Sequence, residues 1–141
     1  MSRPIEDIIN DISKFDGIHD GWPKLDSLVN ELHASPTPTR GIDALLGVFE
    51  RHPGASSGSG VLMTVLHTLE SLSGYEFHLI ESLRRRPSVF AVMMVNRLLN
   101  SGITDVGADS LIKLLEDTKE DQRTQRSVKA EIESVLEGRS S

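Results

Sequence analysis

Apolar residues recur every three or four positions along almost the whole chain, and glycine or proline interrupts this pattern at short intervals. Such spacing places the apolar side chains on one face of an α-helix, whereas a half-buried β-strand alternates residue by residue. In residues 52–102, breaks at 58–60, at Gly74 and at Pro87 separate three helical patterns. The sequence therefore predicts an all-α fold.

The same period predicts about eight helices of roughly 10–18 residues each. Thr39 is the predicted N-cap of the third helix and Ser88 that of the sixth, because a hydroxyl oxygen can accept from a first-turn amide. The sixth helix, over residues 89–100, is apolar nearly all round, so it is predicted to lie in the middle of the fold. The seventh helix is predicted to include Ala108.

Short joints between consecutive helices favour antiparallel neighbours. Four helical pairs stacked side by side would form a small HEAT- or armadillo-like solenoid. No sequence repeat of about 34 or 40 residues accompanies the helical pattern, so an irregular helical bundle is the alternative. The length of 141 residues predicts a single domain over residues 1–137, followed by a frayed C-terminal tail over residues 138–141.

The chain carries a net charge of -6, with an excess of acids towards both ends. This charge disfavours nucleic acid and anionic membranes as partners and favours a basic protein, although it also serves solubility. The absence of cysteine excludes disulfides and thiolate metal sites. No apolar run reaches the roughly 18 residues of a membrane span, and no signal-peptide pattern is present. These features predict a cytoplasmic protein.

Two sequence features are compatible with ligand or metal chemistry, and both have a plainer interpretation. The glycine-rich segment 54–60 precedes a helix, but it lacks the lysine of a phosphate-binding P-loop and follows a helix, which favours a flexible joint. His67 and Glu70 share a helix face, yet helical metal sites need several such pairs from separate helices. We expect no metal, no cofactor and no enzymatic activity.

Polar residues on or beside the even-numbered helices are the candidate partner-binding residues, because one helix of each stacked pair lines the concave surface that solenoids use for binding. Asn96 and Asn100 lie one turn apart, where their amides either form a contact patch or satisfy neighbouring helix ends. Trp22 is either an interface anchor or a plug of the core. The candidate set is Asp16, Asp20, Trp22, His67, Glu70, Glu76, Asn96 and Asn100.

Two charged segments also allow more than one interpretation. Glu76 is either a first-turn carboxylate stabilised by the helix dipole or a partly buried acid paired with Arg97. The run from Arg84 to Arg86 is similar to a nucleic-acid-binding patch, but it lies in the last turn of a helix, where cations are stabilised by the dipole. The negative net charge and the low aromatic content argue against nucleic acid.

Six short motifs follow one another between about residue 40 and residue 102. They are His52-Pro53, Gly58-x-Gly60-Val61, His67 with Glu70, Gly74-Tyr75-Glu76, Arg85-Arg86-Pro87-Ser88 and Asn96-Arg97-x-x-Asn100. This succession resembles a group of small all-helical immunity proteins. Those proteins accompany bacterial polymorphic toxins, including the toxins of contact-dependent growth-inhibition systems.

The resemblance implies a protein that binds the cognate toxin domain delivered by a neighbouring cell and blocks or distorts its active site. We expect the protein itself to be a monomer. A basic nuclease is the toxin expected, since an acidic partner would accelerate its association by electrostatic steering. The alternative function is that of a helical-repeat adaptor or scaffold with a cellular partner.

Overall fold

The computed structural model describes residues 3–17, 20–54 and 59–139. Within these ranges the chain forms eight α-helices and one two-stranded sheet, which confirms the all-α prediction. The helices are α1 (Ile5–Lys14), α2 (Trp22–His33), α3 (Ile42–Arg51), α4 (Ser59–Glu70), α5 (Tyr75–Arg85), α6 (Val89–Asn100), α7 (Leu111–Glu120) and α8 (Arg126–Glu137).

Helix starts depend on which residue can satisfy the first free amides. The Ser88 hydroxyl accepts a hydrogen bond from the Ala91 amide at 3.2 Å, which confirms Ser88 as the N-cap of α6. Thr39 does not cap α3, so this prediction was wrong. The proline-led segment Pro38–Gly41 instead forms a 3-10 turn, and Gly41 is the residue before the helix.

A short β-hairpin separates α6 from α7. Its strands, β1 (Asp105–Val106) and β2 (Asp109–Ser110), pair antiparallel across a turn in which Gly107 has a φ of 60°. The prediction that Ala108 belongs to the seventh helix was wrong, because Ala108 lies in this turn and α7 begins only at Leu111. Ser110 caps α7 by accepting from the Lys113 amide at 3.3 Å.

Most helices that are next but one along the chain pack side by side. In one row α1 packs on α3 and α3 on α5, while in the other α2 packs on α4, α4 on α6 and α6 on α8. Consecutive helices such as α1 and α2, or α5 and α6, connect the two rows, while α7 packs on α6 and α8. Stacked helical pairs have this order of contacts. The HEAT- or armadillo-like solenoid itself stays a prediction, as does its alternative, an irregular helical bundle.

One apolar core runs through all eight helices and is built mainly from Leu, Ile and Val. As its composition predicts, α6 is central, because it packs against α3, α4, α5, α7 and α8. Its Phe90 ring stacks on Phe49 of α3 with the ring centroids 5.2 Å apart. In the part of the chain that is described, no helix combines the length and the apolar character needed to cross a membrane.

Candidate partner-binding site

The C-terminal ends of α4, α6 and α8 bring five polar side chains together. Glu70 is the last residue of α4, Asn96, Arg97 and Asn100 occupy the end of α6, and Arg139 follows α8. We call these five residues the α4–α6–α8 polar surface. Its members come from three helices of the same row, which is why residues 27 to 43 positions apart in sequence contact one another.

An ion pair connects α4 to α6 within this surface. Arg97 Nε donates a hydrogen bond to Glu70 Oε2 at 2.6 Å, and the Glu70 side chain is only 19% exposed. The hydrogen bond from Arg97 to Glu70 raises the pKa of Arg97 above its ordinary value. His67 Nδ1 lies 3.8 Å from the other oxygen of the same carboxylate, so His67 and Glu70 do share a helix face.

Arg139 connects α8 to α6 in a similar way. Its Nη2 atom lies 2.6 Å from Asn96 Oδ1 and 2.7 Å from Asn100 Oδ1. The amide oxygens of Asn96 and Asn100 therefore accept hydrogen bonds from a residue at the end of a neighbouring helix. This matches the interpretation that the two amides satisfy neighbouring helix ends. The amide nitrogens make no hydrogen bond within the described ranges, so both Nδ2 groups remain able to donate to another molecule.

Two open cavities flank Asn100. The larger, of about 420 Å³, is lined by Glu70, Tyr75 and Arg97 in addition to Asn100. The smaller, of about 280 Å³, is lined by Arg139 and by the same asparagine. The polar surface is therefore indented on both sides of one amide, and side chains of another protein have space to enter it.

Tyr75 is the aromatic residue of the larger cavity. It opens α5, and burial raises the pKa of its hydroxyl to about 12, assisted by the nearby carboxylates of Glu76 and Glu70. The hydroxyl is thus protonated and uncharged at neutral pH, where it can both donate and accept a hydrogen bond.

Glu76 is half-buried in the first turn of α5 and does not pair with Arg97, whose partner is Glu70. Its position matches the interpretation as a first-turn carboxylate stabilised by the helix dipole. Glu76 contributes to the site indirectly, through its field at Tyr75.

The three remaining candidates lie together at the joint between α1 and α2. The Asp16 amide donates to Asp20 Oδ2 at 3.1 Å, and Asp20 Oδ1 lies 3.4 Å from Lys24 Nζ. Trp22 packs its ring against Phe15 and His52, with centroid distances of 5.4 and 5.3 Å. The structure thus places Asp16, Asp20 and Trp22 in a second group, and the packing of Trp22 matches its interpretation as a plug of the core.

Sequence reasoning left two residues of the surface out of the candidate set. Arg139 belongs to the predicted frayed tail. One sequence signal indicates a role for it, because an arginine just beyond the end of a helix can donate to carbonyl and amide oxygens there. Arg97 is not in the candidate set, although the sequence places it between Asn96 and Asn100 as part of a possible hydrogen-bonding patch and as a possible partner of Glu76. The prediction of a flexible glycine-rich joint falls mostly on residues 55–58, which are outside the described ranges, as are residues 140–141 of the predicted tail.

No group of three or more His, Cys, Asp or Glu side chains in the described ranges is arranged to hold a metal ion. The site is instead defined by one ion pair, two amides and an arginine that links two helices. Comparisons of the chain with protein-family models, with curated proteins and with solved structures gave no significant match.

Proposed function

We propose that the protein is an immunity protein, which binds a cognate toxin domain by direct contact and neutralises it. One observation carries this proposal beyond the motif resemblance. Charged and amide groups from α4, α6 and α8 form a connected polar surface with two indentations. Such a surface offers hydrogen-bonding groups and recesses to the side chains of a protein partner.

The groups of this surface are held in place before any partner binds. Glu70 orients Arg97 and Arg139 orients both asparagines, so little side-chain freedom is lost on complex formation. The free amide nitrogens and the unused guanidinium nitrogens supply donors, and the Tyr75 hydroxyl supplies a neutral donor and acceptor. This combination favours a protein surface that is rich in carbonyl and carboxylate oxygens at the point of contact.

Long-range charge supports the same function in a different way. A net charge of -6 attracts a basic toxin domain and raises its association rate, whereas the contacts of the polar surface determine how long the complex lasts. The binding surface itself does not have to be acidic for this mechanism.

The test combines a charge reversal with an amide deletion, Glu70→Arg with Asn96→Ala. Glu70→Arg removes the carboxylate that orients Arg97, and Asn96→Ala removes an amide that can donate to the partner. Each change should cost about 2 kcal/mol or more of binding if the residue is a hot spot. Cells that express the cognate toxin domain should therefore lose protection. A thermal melt of the variant should stay close to that of the wild type.

A matched control carries the same two kinds of substitution elsewhere, at exposed positions of α7 and α1, namely Glu120→Arg with Asn10→Ala. The control should protect cells fully. Full protection by the Glu70 and Asn96 variant would show that this surface is not the interface. A large drop in its melting temperature would show that the two groups are structural.

A further inference from the structure

A cavity of about 460 Å³ lies apart from the polar surface. It is bounded by the end of α3, the end of α5 and the turn between α7 and α8, and it shares no lining residue with the two cavities of the polar surface. Its volume lies within the range of about 300–1,000 Å³ that is usual for small-molecule sites.

Four arginines line this cavity in a protein that is acidic as a whole. They are Arg51, Arg85, Arg86 and Arg123, and Glu50 is the one acid among the described lining residues. Fifteen lysines and arginines are spread over the 141 residues, so four at one opening are a local concentration of positive charge. Arginine forks match the geometry of phosphate oxygens and can bind them with two hydrogen bonds.

Two of the arginines are anchored by acids, and each is anchored through the same side of its guanidinium group. Arg85 donates from Nε and Nη2 to Glu50, at 2.9 and 2.7 Å. Arg123 donates from Nε and Nη2 to Asp121, at 3.2 and 2.8 Å. In both cases the Nη1 group is left for another acceptor.

Arg51 is anchored in the same manner, but to neutral oxygens. Its Nε and Nη2 atoms donate to the carbonyl oxygens of Phe15 and Ile12 at 3.1 and 2.9 Å. No acid neutralises Arg86 within the described part of the chain, and Arg86 is exposed at the end of α5. The cavity therefore has four arginines against two paired carboxylates, those of Glu50 and Asp121, which leaves an excess of positive charge.

We propose that this cavity binds a small anion with two or more phosphate groups, such as pyrophosphate or the phosphate chain of a nucleotide. Gln125 at the start of α8 adds an amide donor to the guanidinium groups. Pro53 and Pro87 stiffen the walls, and the Pro53 carbonyl accepts from the Val89 amide at 2.8 Å. This site is independent of toxin binding by the polar surface.

Titration calorimetry with sodium pyrophosphate tests the site, at an ionic strength held constant with sodium chloride. One pyrophosphate should bind per chain, and ATP should bind in the same site, whereas orthophosphate should bind more weakly because it reaches fewer arginines. The variant Arg86→Ser with Arg123→Ser should lower the affinity for pyrophosphate by about tenfold or more. Arg85 is left unchanged because it satisfies the buried Glu50.

The matched control is Arg3→Ser with Arg40→Ser, which removes the same charge from two exposed arginines that pair with acids of α1 and α2 and do not line the cavity. Its affinity for pyrophosphate should stay within about twofold of the wild type, since distant charges are screened. The variant Arg86→Lys with Arg123→Lys keeps the charge and should bind at an intermediate affinity. Absence of saturable binding to the wild type, or an equal loss in the cavity variant and the control, would overturn the proposal.

Discussion

At the scale of single residues, Glu50 is a buried carboxylate that accepts three side-chain hydrogen bonds. Its side chain is only 9% exposed, and it accepts from the Ser82 hydroxyl at 2.9 Å and from two nitrogens of Arg85. Ser82 is fully buried. The carboxylate is therefore satisfied by α5 alone, and it fastens α3 to α5 beside the arginine-lined cavity.

Replacement of Glu50 by alanine should lower the free energy of unfolding by about 2–3 kcal/mol, because it leaves the buried Ser82 hydroxyl without an acceptor and Arg85 without its counter-ion. Urea denaturation measures the change. The control Glu81→Ala removes an exposed carboxylate from α5, the helix that carries Ser82 and Arg85, and should stay within about 0.5 kcal/mol of the wild type. Equal effects of the two substitutions would contradict this role of Glu50.

Tyr75 gives the second prediction at this scale. An exposed tyrosine loses its proton near its usual pKa of 10, whereas burial holds the pKa of Tyr75 at about 12 in the folded chain. The stability that comes from the neutral hydroxyl is thus fully present below pH 10 and is lost as the pH rises towards 12.

The chain has a single tyrosine, so the phenolate absorbance in an alkaline titration reports on Tyr75 alone. Its midpoint should lie near 12, and Glu70→Gln should lower it, because that change removes one of the carboxylates that raise the pKa. The circular dichroism signal, followed in the same titration, shows that the chain is still folded. A midpoint near 10 in the folded protein would contradict the prediction.

At the scale of secondary-structure elements, the helices could be predicted because each presents an apolar stripe of the correct period, as with Leu62, Leu66 and Leu69 in α4. The hairpin could not be predicted, because strands of two residues are too short to show an alternation of apolar and polar residues. The contacts of the site were also unpredictable in detail. Arg97 and Arg139 reach partners 27 and 39 to 43 residues away, and only the packing of helices determines such pairs.

The joint between α4 and α5 gives a prediction at the element scale. Gly74 has a φ of 84°, and a side chain added there would meet open space, so only the backbone conformation disfavours another residue. Gly74→Ala should therefore lower the free energy of unfolding by about 1 kcal/mol.

Gly60 is the matched control, because it lies in α4, has open space around its Cα, and has no left-handed conformation. Gly60→Ala should raise the free energy of unfolding by about 0.5 kcal/mol, since alanine restricts the unfolded chain and favours helix. Chemical denaturation of the two variants should give changes of opposite sign. Two changes of the same sign would mean that the backbone angle at Gly74 is not decisive.

At the scale of the whole molecule, the net charge of -6 acts over a longer distance than any contact of the polar surface. Exposed carboxylates such as Asp43 and Glu81, which are 68% and 69% exposed, contribute to this field from outside the candidate site. The association rate of a complex should therefore depend mainly on salt concentration. Its dissociation rate should depend mainly on substitutions in the polar surface.

The association rate with the cognate toxin domain should fall steeply when salt is raised from about 0.05 to 0.5 M, because the screening length shortens to a few ångströms. Asp16→Asn with Asp20→Asn should reduce this dependence on salt, while Asn96→Ala should mainly raise the dissociation rate. Surface plasmon resonance at several salt concentrations separates the two rates. A rate of association that does not change with salt would mean that the charge serves solubility only.

The aromatic packing at the joint of α1 and α2 has a practical consequence for observing the protein. Trp22, the only tryptophan, contacts Phe15 at the end of α1 and His52 at the end of α3. Its fluorescence therefore senses whether the first helix is docked, independently of the total helix content that circular dichroism records. Detachment of α1 before global unfolding would appear as a change in tryptophan emission at a lower denaturant concentration than the loss of helix. Trp22 is therefore an intrinsic probe of whether the N-terminal helix unfolds before the rest of the chain.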